Sequence, residues 1–247
     1  MCMSCRSTLT AKNLVPILSF LFQKGKCTHC GTKISWQYPL VELSTGILFA
    51  LNFYTLYVQK TSVIEFVTLF ILSSSIIALL VAIFVYDMKH KIIPDTFSFP
   101  LAGLSVLYVL CVTFIFDSNM FWIPQGLQLN TLGVLNLCTG LIFYLAIYAL
   151  WKFSDGRLIG LGDAKLLFTI GTVLGLVYGL SALFLSFWIG GICAIFILLK
   201  QRLSKQSKHI TMKSEIAFGP FLIIAFLIVY FFKIDVTSLS FILENFS

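Results

Sequence analysis

The sequence predicts an all-α, multi-pass membrane protein: about seven transmembrane helices preceded by a small cytosolic zinc-binding segment. Three observations carry this. Hydrophobic residues make up 59% of the 247 and charged residues 11%, with a mean hydropathy of +0.98, whereas soluble domains are about 25% charged. The apolar residues gather into runs close to the ~20 residues that a helix needs to cross a bilayer. The 17 basic residues fall between those runs, almost all on one side. Twenty-five phenylalanines against ten acidic residues leave too little polar surface for a water-soluble enzyme, a disordered chain or a secreted disulfide scaffold. The net charge of +7 is scattered over short loops, which reads as topology and not as phosphate binding, so membrane lipid is an expected partner and nucleic acid is not.

The chain divides into residues 1–40, a cytosolic segment; 41–233, a helical bundle; and 234–247, a tail. The spans are A, Val41 to Gln59; B, Val63 to Tyr86; C, Phe97 to Phe116; D, Thr131 to Trp151; E, Leu166 to Leu180; F, Ser181 to Leu199; and G, Ala217 to Phe232. E is short, and its boundary with F is set near Tyr178-Gly179. The first forty residues hold no basic region followed by an unbroken apolar core, so no signal peptide is expected.

The basic residues test this division, because cytoplasmic loops carry them in excess. With the N-terminus inside, Arg6, Lys12, Lys24, Lys26 and Lys33, then Lys89 and Lys91, then Lys152, Arg157 and Lys165, and finally Lys200, Arg202, Lys205, Lys208 and Lys213 all fall in inner segments. Only Lys60 and Lys233 fall outside. Residues 118–122 read as an outer interfacial loop with aromatic anchoring, and Leu239 to Phe246 as an interfacial or disordered end.

Three of the seven cysteines, Cys111, Cys138 and Cys193, lie inside apolar runs, where a thiol behaves as a small hydrophobe. The other four form two CxxC pairs, Cys2 with Cys5 and Cys27 with Cys30. Each pair on a tight turn delivers two thiolates to one ion, which suits tetrahedral structural zinc. Two disulfides or a redox site are the alternatives, and a reducing cytosol weighs against them. A four-thiolate site has no vacant position for water, so the metal would hold a fold and perform no hydrolysis. His29 reads as a solvated turn residue.

Two acidic positions stand at the inner edge of the bundle. Asp87 lies near the end of helix B, which Pro94 should stop near Ile93. It has a plain structural account, an i+4 pair with Lys91, and Asp95 has one as a cap for helix C. Asp163 lies in Gly160-Leu161-Gly162-Asp163-Ala164-Lys165 before helix E, where it could serve as N-cap with the glycines making a turn. Together the two mean more. Two carboxylates about 4 Å apart repel by roughly 4 kcal/mol at an effective dielectric near 20, so such a pair holds one proton between them near neutral pH. One carboxyl then activates water while the other protonates a scissile carbonyl. Gly160 and Gly162 let backbone approach closely, as an extended peptide would require.

These residues resemble the type IV prepilin peptidases, members of the GxGD aspartyl protease group. The likeness rests on the ordered set of the double CxxC segment, Trp36 to Glu42, Asp87 to Asp95, Gly160 to Lys165, and Phe218-Gly219-Pro220-Phe221. It implies a peptidase of the bacterial cell membrane that removes the short basic leader of type IV prepilins or pseudopilins at the cytosolic face. Motif matching gives Asp87 and Asp163 as the catalytic aspartates. It also implies N-methylation of the new terminus with S-adenosylmethionine in many members, with zinc in the double-CxxC domain of that form. Lys89 and the modest length are consistent with a Gram-positive competence or secretion setting. Family members usually carry a further helix before the first CxxC, and adding one would leave every later loop on its assigned side.

The remaining positions have plain readings. Gly171, Gly175 and Gly179 repeat at i+4 for close helix packing. Gly219-Pro220 should kink or loosen helix G and could shape a substrate groove. Glu42 is a helix N-terminal charge, a contact for a basic leader or a supporting acid. Lys165 either steadies ionised Asp163 or anchors the chain inside. The competing functions are a presenilin-like intramembrane protease, a proton-coupled transporter and a zinc-bearing membrane adaptor. Presenilin-like acids lie deeper in the bilayer, and transporter acids lie on broken helices near its middle.

Overall fold

The computed structural model describes residue 2 and residues 4–13, 15–58, 62–114, 129–156, 159–203 and 218–237. The outer loop expected at 118–122 and the tail at 239–246 lie outside the described residues. Among the described residues a short 3-10 turn at Ala11–Asn13 precedes seven α-helices: α1 Leu18–Phe22, α2 Gln37–Val58, α3 Val63–His90, α4 Asp95–Phe114, α5 Leu129–Phe153, α6 Leu161–Leu203 and α7 Gly219–Phe232. No strand occurs among the described residues. The chain divides into two units, Met1–Tyr54 and Thr55–Ser247.

Five of the helices, α2 to α6, are long and apolar enough to cross a membrane, and α7 is a shorter apolar helix. Large apolar side chains such as Ile142, Phe187, Trp188 and Phe196 are exposed on the helix exteriors. That outward apolar face is what hydrocarbon requires and water does not. With the apolar runs, it makes the chain a multi-pass membrane protein.

In the second unit α6 packs against α5, α7 and α4, and α3 packs against α4 and α7. Their shared core holds Leu69, Ile76, Leu80 and Ile83 of α3, Leu101 of α4, Leu166 and Ile170 of α6, and Leu222, Phe226 and Val229 of α7. Some hydroxyls inside the bundle are satisfied locally, Ser73 donating to the Leu69 carbonyl at 2.6 Å and Thr113 to the Val109 carbonyl at 2.7 Å, whereas the buried Thr169 and Thr172 hydroxyls have no partner among the described residues. Gly140 of α5 and Gly171 of α6 bring their backbones together, since a Cβ on Gly171 would stand 2.9 Å from the Gly140 Cα.

Two of the boundaries that differ from the sequence expectation have a local backbone cause. Helix α3 ends at His90, earlier than the Ile93 set by Pro94, because Lys91 takes a left-handed cap (φ 55°) and returns its N–H to the Asp87 carbonyl. The break expected near Tyr178-Gly179 falls instead at Gly175, which alone inside α6 leaves helical geometry (φ 73°, ψ −171°). There the chain doubles back, bringing the Gly171 Cα within 3.6 Å of the Cβ position of Gly179. In an unbroken helix those residues would stand about 12 Å apart.

Candidate active site and metal centre

Four segments converge where α3 ends and α6 and α7 begin. Asp87, one turn from the end of α3, is 4% exposed, and Asp163, in the first turn of α6, is 8% exposed. The Asp87 carboxylate is close enough to act electrostatically on Asp163. No Asp87–Lys91 ion pair forms among the described residues, so the plain account of Asp87 fails.

Each carboxylate also faces a helix start. Helix α6 begins at Leu161, five residues before the expected Leu166. This corrects the N-cap reading of Asp163: Gly160 precedes the helix, its carbonyl accepts the Asp163 N–H at 3.2 Å, and the Asp163 carboxylate lies beside its backbone. Helix α7 begins at Gly219 with Pro220 in its first turn. This corrects the expected kink, because proline at that position starts a helix at no cost in hydrogen bonds. A Cβ on Gly219 would overlap Asp87 Oδ2, so the carboxylate rests directly on the α7 start. Helix N-termini carry partial positive charge from unsatisfied N–H groups and favour an anion there.

Sequence reasoning missed Ile93. A Cβ on Gly162 would lie 2.7 Å from Ile93 Cβ, and one on Gly219 would lie 3.2 Å from Ile93 Cδ1. Ile93 is therefore wedged between the starts of α6 and α7. The space at Gly162 belongs to Ile93, whereas a Cβ on Gly160 would meet only Asp163 Oδ2 at 3.4 Å. The available signal was Pro94, which forces Ile93 out of helical geometry and lets its side chain swing toward α6.

Lys165 does not pair with Asp163. Its ammonium binds the Asp95 carboxylate and stands 5.0 Å above the Phe99 ring. Asp95 is the first residue of α4 and not its cap. The pair ties the start of α4 to the start of α6. Glu42 sits in the N-terminal unit, where its Oε2 accepts the Ile17 N–H at 2.9 Å.

The same unit holds the four cysteines. Their Sγ atoms lie within 4.8 Å of one another and could hold a metal ion. The two turns are built alike. The Arg6 N–H donates to the Cys2 carbonyl at 2.9 Å, and the Gly31 N–H to the Cys27 carbonyl at 3.0 Å. Arg6 and Gly31 both take positive φ, 53° and 71°. Cys2 and Cys30 Sγ stand 3.8 Å apart, near the edge of a tetrahedron with metal–sulfur bonds of about 2.3 Å. Hydrogen bonds from the Thr32 hydroxyl and backbone push the Cys30 thiol down to about 6, toward the thiolate that a metal requires.

Residues 1–56 match the Bacterial Peptidase A24 N-terminal domain, and residues 74–195 match the Type IV leader peptidase family. A prepilin leader peptidase/N-methyltransferase of Bacillus subtilis (strain 168) is 33% identical over 207 residues, 83% of this chain and 73% of that protein. Proteins of the same name from Neisseria gonorrhoeae and Vibrio cholerae are 32% and 29% identical, the matches covering 93% and 94% of this chain and 69% and 80% of theirs. No solved structure matches the chain. Matches on both the cysteine-bearing and the aspartate-bearing segments leave one conclusion: this membrane peptidase belongs to the type IV leader peptidase family.

Proposed function

We propose that the chain removes the basic leader from type IV prepilins or related pseudopilins at the cytosolic face of the bacterial cell membrane, with Asp87 and Asp163 as its catalytic pair. The observation that carries this reading is the meeting of two buried carboxylates from helix ends 76 positions apart in sequence. Like charges at short range favour one proton shared by the pair. The ionised carboxyl takes a proton from water as its oxygen attacks the scissile carbonyl, and the protonated one donates to the carbonyl oxygen. Collapse of the tetrahedral intermediate breaks the C–N bond, and a proton passes to the departing amine. The α6 and α7 starts steady the remaining negative charge throughout.

The membrane arrangement supporting this is seven crossings with the N-terminus inside. Helix α6 then supplies two of them about the Gly175 turn, and α7 the last. The Lys and Arg distribution supports placing both aspartates on the cytosolic side. A depth near the surface favours this reading over a presenilin-like one, since buried charge is cheaper there.

The four thiols fit zinc by donor type and spacing, and a bound zinc would brace the N-terminal unit. Methyl transfer from S-adenosylmethionine to the new amino terminus is the second activity carried in the relatives' name. A competence or secretion pseudopilin is the favoured substrate, on the strength of Lys89 and the modest length of the chain. Purified protein in liposomes should shorten a pilin-like precursor, and mass spectrometry of the product reads leader loss and methyl gain as separate events. An uncut precursor under conditions where the Bacillus relative cuts its own would remove the reading.

A further inference from the structure

We propose that the N-terminal unit rests on an anionic lipid surface, with Leu18, Leu21 and Phe22 of α1 inserted among the headgroups of the membrane that α2 enters. This goes beyond the peptidase reading and does not depend on it. Helix α1 is two-sided. Phe20 is buried at 8% exposure, stacked edge-on to Trp36 at 4.8 Å between ring centres. Leu21 and Phe22 are 59% and 84% exposed, and Leu18 is exposed as well. A contiguous apolar face of this kind on a cytosolic segment marks an interaction surface.

The level of that face is fixed by a hydrogen bond. Glu42 is the only charged residue of α2, five positions into a helix that otherwise reads as a span. A carboxylate at the edge of a span belongs at the headgroup level. The Ile17 N–H donates to it at 2.9 Å, so α1, which starts at the next residue, is held at the same depth. Trp36 and Tyr38, both exposed at the start of α2, supply the aromatic ring pair typical of that depth.

Charge selects the occupant. Residues 1–54 carry Arg6, Lys12, Lys24, Lys26 and Lys33 against Glu42 alone, and Glu42 is engaged by Ile17. Lys12, Lys24 and Lys26 are exposed, and Lys24 and Lys26 lie two and four residues beyond Phe22. An apolar wedge rimmed by ammonium groups suits anionic headgroups above acyl chains. A protein partner would have to supply both an apolar pocket and a matching acidic rim.

The test uses the full chain reconstituted in vesicles of phosphatidylcholine, alone or mixed with phosphatidylglycerol, with p-benzoylphenylalanine replacing Phe22 and, separately, Leu18. Retained bound metal reports that the unit is folded, and the two positions guard against one variant failing to fold. Photolysis followed by mass spectrometry should give a lipid adduct whose yield rises severalfold with phosphatidylglycerol and falls severalfold in Lys24→Gln with Lys26→Gln. A peptide adduct, from this chain or a second copy, would overturn the proposal. So would the absence of any adduct, or a lipid adduct indifferent to phosphatidylglycerol.

Discussion

The Asp87 carboxylate lies against the Gly219 backbone so closely that no side chain fits between them. Gly219→Ala should displace Asp87 from its partner while leaving α7, which starts at that residue, intact. A shift of about 1 Å at a reacting group costs on the order of 10²-fold. The expected result is a kcat loss of that order with little change in KM, measured on a pilin-like peptide.

Ile93 and Gly162 form the second close contact of the site, and their effects should couple. Gly162→Ala alone pushes Ile93 against the α6 start and should lower both stability and cleavage. Adding Ile93→Gly, which removes the Cβ that the new methyl meets at 2.7 Å, returns the space. The double variant should recover by roughly 0.5–3 kcal/mol relative to additivity, the range for residues in direct contact, read by thermal unfolding and by kcat.

Lys165 serves α4 through Asp95 and does not act on Asp163. The Asp95 side chain is 64% exposed, and exposed ion pairs contribute under about 1 kcal/mol. Asp95→Asn and Lys165→Gln should therefore each reduce cleavage only modestly, with overlapping effects, and neither should move the pH profile. A displaced profile in Lys165→Gln alone would return Lys165 to Asp163.

Metal removal should act on the N-terminal unit first. A chelator should expose residues 1–36 to protease and alter Trp36 fluorescence, because four unbound thiols no longer hold the two turns together. Cleavage of precursor should decline only in step with that loss of structure. Immediate loss with the unit intact would give the metal a chemical role.

Much of this architecture was legible because a bilayer demands long apolar runs, and B and D are found close to where those runs place them. The break in α6 was not. Gly171, Gly175 and Gly179 look alike in sequence, and what separates them is tertiary: Gly171 meets Gly140, Gly179 meets Phe143, and a Cβ on Gly175 would lie 2.5 Å from Asn136 Oδ1. The acids were legible because a carboxylate at the end of an apolar run needs a reason. Their surroundings were not, since the Asp95–Lys165 pair spans 70 residues and the role of Ile93 depends on glycines from two other helices.

In the proposed chemistry Asp87 and Asp163 act as one unit on a peptide bond. The most direct measurement is single-turnover cleavage of a pilin-like precursor by Asp87→Asn and by Asp163→Asn, each with thermal unfolding as a control on folding and a pH series on the parent chain. Each variant should lose at least about 10³-fold, within the range for removing a group that transfers protons, and the double variant should lose little more. Neither should unfold earlier, since an amide keeps the shape of the buried carboxyl and adds no charge to the site, and the parent should fall off at both acid and alkaline extremes because one proton is needed. Near-parental cleavage by either folded variant would rule out a catalytic pair at Asp87 and Asp163.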